Sequence, residues 1–180
     1  MMTLNRPQPL RMDNDFAYRT MSERIPGIIR EVQSLARLET IKYTVEKVIT
    51  AEVNQGLFGP LFGDRLLFVA HGTVIAGIDM DRIETKDLWL EGDVLKARLP
   101  AAEVFSASLN NEQSYVYDRN TGLLTKGNPQ LESEARKVAE QEILKAAQQD
   151  GILDLAQQNA EVYLERLFNA LGYLKVEFVD

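Results

Sequence analysis

Cysteine is absent from this chain, and histidine and tryptophan occur once each. Without cysteine there is no disulfide, thiol nucleophile, iron–sulfur cluster or cysteine-ligated zinc. With a single histidine, a Ser–His–Asp triad would have to use His71, and nothing local proposes its partners. Positive charge is also short: 20 Lys and Arg stand against 27 Asp and Glu, a net charge of −7. Phosphate contacts need basic residues to release counterions, so nucleic acid is not an expected partner. No run of about 18 apolar residues occurs, so no span of this chain is expected to cross a membrane. The opening Met1 to Pro9 lacks the apolar core of a secretory signal. Residues 1–21 are expected to be a flexible tail.

The familiar chemical motifs are missing as well. There is no G-x-G-x-x-G fingerprint, P-loop, H-E-x-x-H pair or G-x-S-x-G elbow. His71, Asp79 and Asp81 form the one compact polar grouping. A strand rises about 3.3 Å per residue, so a hairpin turned at His71-Gly72 puts Asp79 far from the imidazole. Asp79 and Asp81 alone have oxygen ligands for Ca²⁺ or Mg²⁺, but are read first as turn-formers and caps after a strand. No structural metal and no cofactor is expected.

What remains is a chain of 180 residues, 45% hydrophobic and 26% charged, in the range of an ordinary globular protein. A single domain is expected over 22–180. Ile25, Ile28, Ile29, Val32, Leu35 and Ala36 recur at helical spacing and predict a helix over Ser22 to Leu38, with Ser22 as N-cap and Pro26 in its first turn. Its stripe of Ile25, Ile29, Val32 and Ala36 is expected to be only partly buried in a monomer, which makes a homo-oligomer one possible outcome.

From Glu39 the period changes to two. Ile41, Tyr43, Val45, Ile49, Ala51 and Val53 predict a long strand, broken or bulged at Lys47. Arg65 to Ala70 reads as a short strand that His71-Gly72 turns back into Thr73 to Asp79. A further hairpin is expected around Glu91-Gly92-Asp93, then extended pieces at Glu103 to Leu109 and Ser114 to Tyr117, with Asp118 to Gly122 as a turn. The sheet thus occupies about 39–128.

Two amphipathic helices follow over about 129–172, started by Pro129, separated by Gly151 and closed by Gly172. Lys175 to Val179 alternates and predicts a final short strand that rejoins the sheet. Strands and helices are segregated along the chain, which indicates an α+β fold with a mostly antiparallel sheet.

The oddest segment is Gly56-Leu57-Phe58-Gly59-Pro60-Leu61-Phe62-Gly63, in which Leu-Phe-Gly occurs twice. Three glycines and a proline make it unfit for the middle of a strand. A loop should be polar, yet Leu57, Phe58, Leu61 and Phe62 sit between the glycines. Two readings stay open: the side chains fold back onto the core, or they form an exposed contact site for a partner, a bilayer or another subunit.

Several segments resemble the bacterial family catalogued as domain of unknown function 4230. They are Leu38 to Thr44, Arg65 to Asp79, Leu99 to Val104, Val116 to Asp118 and Ala135 to Ala160. The run His71-Gly72-Thr73-Val74-Ile75-Ala76-Gly77-Ile78-Asp79 is the most specific of them. The resemblance implies a domain commonly preceded by one transmembrane helix, hence one held outside the cytoplasmic membrane, whereas this sequence carries no such helix. It implies no activity and no catalytic residues.

The expected function is therefore a non-catalytic binding or interaction domain of a membrane-anchored protein, with a protein or membrane-surface partner. A lipid or small-ligand binder is the alternative, and a hydrolase built on His71 a more distant one.

Overall fold

The computed structural model describes residues 14–54 and 56–179, and of 14–18 and 20 the backbone alone. In chain order the elements are α1 (Asn14–Gln33), β1 (Arg37–Val53), α2 (Gly59–Phe62), β2 (Asp64–Asp79), β3 (Leu88–Glu91), β4 (Val94–Arg98), β5 (Glu103–Leu109), β6 (Tyr115–Thr121), α3 (Leu131–Gln149), α4 (Ile152–Ala170) and β7 (Val176–Val179). The class is α+β, as the segregation of periods indicates. The described residues divide into two compact units. The larger is Arg37–Asp79 with Ala101–Tyr163; the smaller joins 14–36, Met80–Pro100 and 164–179.

The larger unit is organised by β2. This 16-residue strand pairs along one side with β1 over its whole length, Arg37 opposite Asp79 and Val53 opposite Asp64. Its other side is shared: β6 pairs with Asp64 to Val69 and β5 with Gly72 to Gly77, all antiparallel. The alternation of β2 puts Leu66, Phe68, Ala70, Val74 and Ala76 on one face, where α3 covers them with Leu131, Ala135, Ala139, Ile143, Ala146 and Ala147. Val45 and Ile49 of β1 join the same core. Lys47 lies between them in phase, opposite the fully buried Ala70, so the strand runs through it without a break.

The irregularity of β1 falls instead between Glu39 and Ile41. The displaced Thr40 is tied to α4, its hydroxyl donating to Ala156 O at 2.8 Å and its carbonyl accepting from Asn159 Nδ2 at 3.1 Å. Gly77 is the matching requirement on β2, since a Cβ there would collide with Leu38 O.

The expected turn at His71-Gly72 does not exist, because β2 continues straight through both residues. Histidine and glycine together are a local turn signal, but a Cβ on Gly72 would overlap the side chain of Ile143. The glycine is there to let α3 approach the sheet. Asp118 to Thr121, expected as a turn, are the second half of β6.

The smaller unit holds α1, 3-10 turns at Met80–Arg82 and Thr85–Asp87, the hairpin β3–β4, the end of α4 and β7. The hairpin turns where the sequence places it, with Gly92 at φ 63°. β7 pairs in parallel with β4, Val176 beside Leu95, and makes a second three-stranded sheet rather than rejoining the first. α1 starts eight residues before the expected Ser22, and so takes in part of the expected tail; the remainder, 1–13, lies outside the described residues. Pro26 sits in its interior, where it cannot donate the usual bond to Ser22 O. Ile25, Ile28, Ile29 and Val32 are all buried, contrary to the expected half-covered stripe, whereas Ala36 is exposed beyond the helix end. Tyr173, at the foot of α4 beyond Gly172, anchors this unit by donating from its buried hydroxyl to Met21 O at 2.8 Å.

Candidate functional site

His71 sits at the middle of β2, where the neighbouring strand changes from β6 to β5. The loop between those two strands is clasped to it: Asn110 N–H donates to His71 O at 2.7 Å, and the hydroxyl of the buried Ser114 accepts from His71 N–H at 3.0 Å while donating to Asn110 O at 2.6 Å. The imidazole itself faces away, with Nε2 3.5 Å from Glu46 Oε2 on β1. Serine, histidine and glutamate therefore meet in space, but the serine holds backbone rather than the imidazole. That is the geometry of a clasp, not of a base activating a nucleophile. Asp79 closes β2 and Asp81 lies in the following 3-10 turn. Among the described residues no group of three or more His, Asp or Glu is gathered as a metal cage.

At the N-terminal end of β2 the larger unit carries a very different surface. Gly56 to Gly63 and Gly122 to Thr125 run side by side as one tip. Gly122 N–H donates to Gly63 O at 2.7 Å, Leu123 N–H to Pro60 O at 3.2 Å and Leu124 N–H to Leu61 O at 2.8 Å. Gly122 permits this closeness, because a Cβ there would lie 2.6 Å from the Leu61 carbonyl carbon. Pro60 opens the single turn of α2, and Phe62 and Gly63 N–H close it on Phe58 O and Gly59 O.

All four residues singled out in the sequence are exposed here, Leu57 to 99%. Phe58 is open with it, whereas Leu61 and Phe62 are more than half covered and none of the three is buried in the core. Leu123, 86% exposed, and Leu124 extend the same patch, and sequence reasoning missed them. Their signal was available: two leucines directly after a turn glycine are as out of place as the two Leu-Phe pairs.

Beneath the patch the usual order of burial is inverted. Asp64, 1% exposed, accepts from Arg119 Nε at 3.1 Å and Nη2 at 2.6 Å, from the Thr121 hydroxyl at 3.1 Å and from Asn128 N–H at 2.7 Å. The Arg119 guanidinium, with the Asn128 and Thr121 donors, holds the Asp64 carboxyl down at about 2 against the pull of burial. Arg119 also donates to Asn128 O at 2.8 Å, so one ion pair staples β2, β6 and the segment leading to α3. A cavity of about 380 Å³ at this end is walled by Gly59, Pro60 and Gly63 on one loop and Asn120 and Thr121 on the other. In the smaller unit a larger open groove, about 700 Å³, runs between Pro26, Ile29 and Gln33 of α1 and the Asp81 to Lys86 segment. There Lys86 is taken up by Glu84 at 2.8 Å.

No helix among the described residues is long and apolar enough to cross a membrane. Residues 30–178 match the model of a family described as protein of unknown function (DUF4230). Neither a curated protein nor a solved structure matches the chain.

Proposed function

We propose, for a chain that belongs to the DUF4230 family, that it is a non-catalytic contact module whose working surface is the tip formed by Leu57, Phe58, Leu61, Phe62, Leu123 and Leu124. The observation that carries this reading is six large apolar side chains on two adjoining loops, four of them exposed by about two thirds or more and Phe62 and Leu61 by 45% and 36%. Contiguous exposed apolar surface of this kind marks an interaction site far more often than a fold requirement. Directly beneath the tip, the Asp64–Arg119 ion pair ties β2 to β6 through polar groups alone.

A working place at a membrane surface, in a full-length protein carrying an anchor, is the setting in which such a tip acts. The test is site-specific photo-crosslinking in cells, with a benzophenone side chain placed at Leu57 or Leu124 and, for comparison, at Glu112 or Thr85. A discrete adduct from the tip positions alone, to lipid or to protein, is the expected result. Absence of any tip-specific adduct removes the contact reading.

A further inference from the structure

The geometry points to a lipid bilayer as the occupant of this tip: Leu57, Phe58, Leu61, Phe62, Leu123 and Leu124 enter the interfacial region as a charge-free cap whose backbone N–H groups are bonded within it from Gly59 to Gly63 and from Gly122 to Thr125. The inference rests on the contact reading above and names its partner. Two features select a bilayer over a protein groove.

The first is the backbone. A segment that leaves water for lipid must satisfy its own polar groups, since hydrocarbon offers none. From Gly59 to Gly63 and from Gly122 to Thr125 every backbone N–H donates within the tip. Gly59 bonds Gly56 O, Leu61 and Phe62 bond Phe58 O, Gly63 bonds Gly59 O, and Thr125 bonds Gly122 O, in addition to the three bonds that join the loops. Pro60 has no N–H to satisfy. Loop backbone on a surface meant for a polar partner has no need of such closure.

The second is charge. Gly56 to Gly63 and Gly122 to Thr125 contain no ionisable side chain. Leaving the cap along β2, Asp64 is neutralised by Arg119, and the first exposed charge is Arg65; leaving it after Thr125, the first is Lys126. Both are cations with long apolar stems, suited to lie at the level of lipid phosphates while the cap sits deeper. Glu52, the nearest acid on β1, is held by Arg65 at 3.3 Å. The chain as a whole carries −7, so attraction to anionic lipid does not drive the encounter. Apolar burial must carry it.

The chain has no cysteine, so Leu57→Cys gives one labelling position for an environment-sensitive dye. With phosphatidylcholine vesicles the dye is expected to shift to the blue and to be quenched by lipids brominated near the carbonyls. The same dye on Glu112→Cys stays silent. Adding Phe58→Ser and Leu123→Ser to the labelled chain lowers the partition coefficient about a hundredfold, on the scale of about tenfold for each apolar side chain lost from the bilayer. Its melting temperature stays unchanged.

No spectral shift up to millimolar lipid overturns the bilayer assignment. So does a shift confined to anionic vesicles and abolished by high salt, or one that grows with protein concentration without lipid. These failures are separable from failure of the contact reading. A tip-specific protein adduct in cells, beside a silent vesicle titration, keeps the contact module and removes the bilayer.

Discussion

The middle of β2 and its N-terminal end follow opposite rules. In the middle, Leu66, Phe68, Ala70 and Val74 are buried under α3, and a glycine is spent to let Ile143 come close. At the end, the buried group is a carboxylate and the exposed groups are leucines and phenylalanines. The middle is held by packing, the end by hydrogen bonds and one ion pair. Apolar side chains as open as Leu57 and Leu123 are free to serve another surface.

The largest effect that separates the two regions is expected at Asp64. Asp64→Ala leaves Arg119, Thr121 and the Asn128 N–H without their shared acceptor; Arg119 is a third exposed and keeps its bond to Asn128 O, so the loss is about 2–3 kcal/mol. Urea denaturation reads it directly, and a loss within experimental error of zero would show the end is not held as described.

In the middle, Gly72→Val drives a side chain into Ile143, and overpacking costs about 1–3 kcal/mol. The double variant with Ile143→Ala recovers part of that loss, because the two sites share one space. Additive losses would contradict the close approach.

Acid distinguishes the regions next, because only the end holds a buried, paired carboxylate. Asp64 sits at about 2 in the fold against 3.8 in the unfolded chain. Its contribution is present in full above about pH 4 and is lost as the pH falls towards 2, an amount of about 2 kcal/mol. Comparing stability of the parent and Asp64→Ala between pH 5 and 2 isolates it: the gap between them narrows on acidification.

The smallest effect belongs to the tip. Leu57→Ser and Leu123→Ser should each change stability by no more than about 0.5 kcal/mol, as exposed substitutions do. A drop of several kcal/mol on thermal denaturation would place these side chains in the core and end the comparison.

The sequence declared some of this plainly and hid the rest for physical reasons. α3 and α4 were legible because a 3.6-residue stripe is bounded by Pro129, Gly151 and Gly172, the last two at φ 78° and 100°. The β3–β4 hairpin was legible from Glu91-Gly92-Asp93. β2 was not, since glycine in a strand that admits a helix looks the same as glycine in a turn. The end of β6 was hidden by its polarity: Asp118, Arg119, Asn120 and Thr121 look like a turn until Arg119 and Thr121 are seen to serve a carboxylate 55 and 57 residues away. Four of the six tip residues were visible because Leu-Phe between glycines is anomalous on its own. Leu123 and Leu124 carry a similar anomaly after Gly122, but only pairing with a loop some sixty residues earlier joins them to the tip. The α1 stripe was visible, but its burial depended on the 3-10 turns and β3, which no local pattern links to it.

Lys47 has a meaning beyond interrupting an apolar row. Among the described residues nothing pairs with the outer side of β1, so this 17-residue strand presents a long open edge. An ammonium set among inward-facing Val45 and Ile49 is harmless where water reaches it, but a second sheet docking on that edge would have to desolvate it. The residue that reads as a flaw in the strand is thus of the kind that edge strands use to discourage pairing with another sheet.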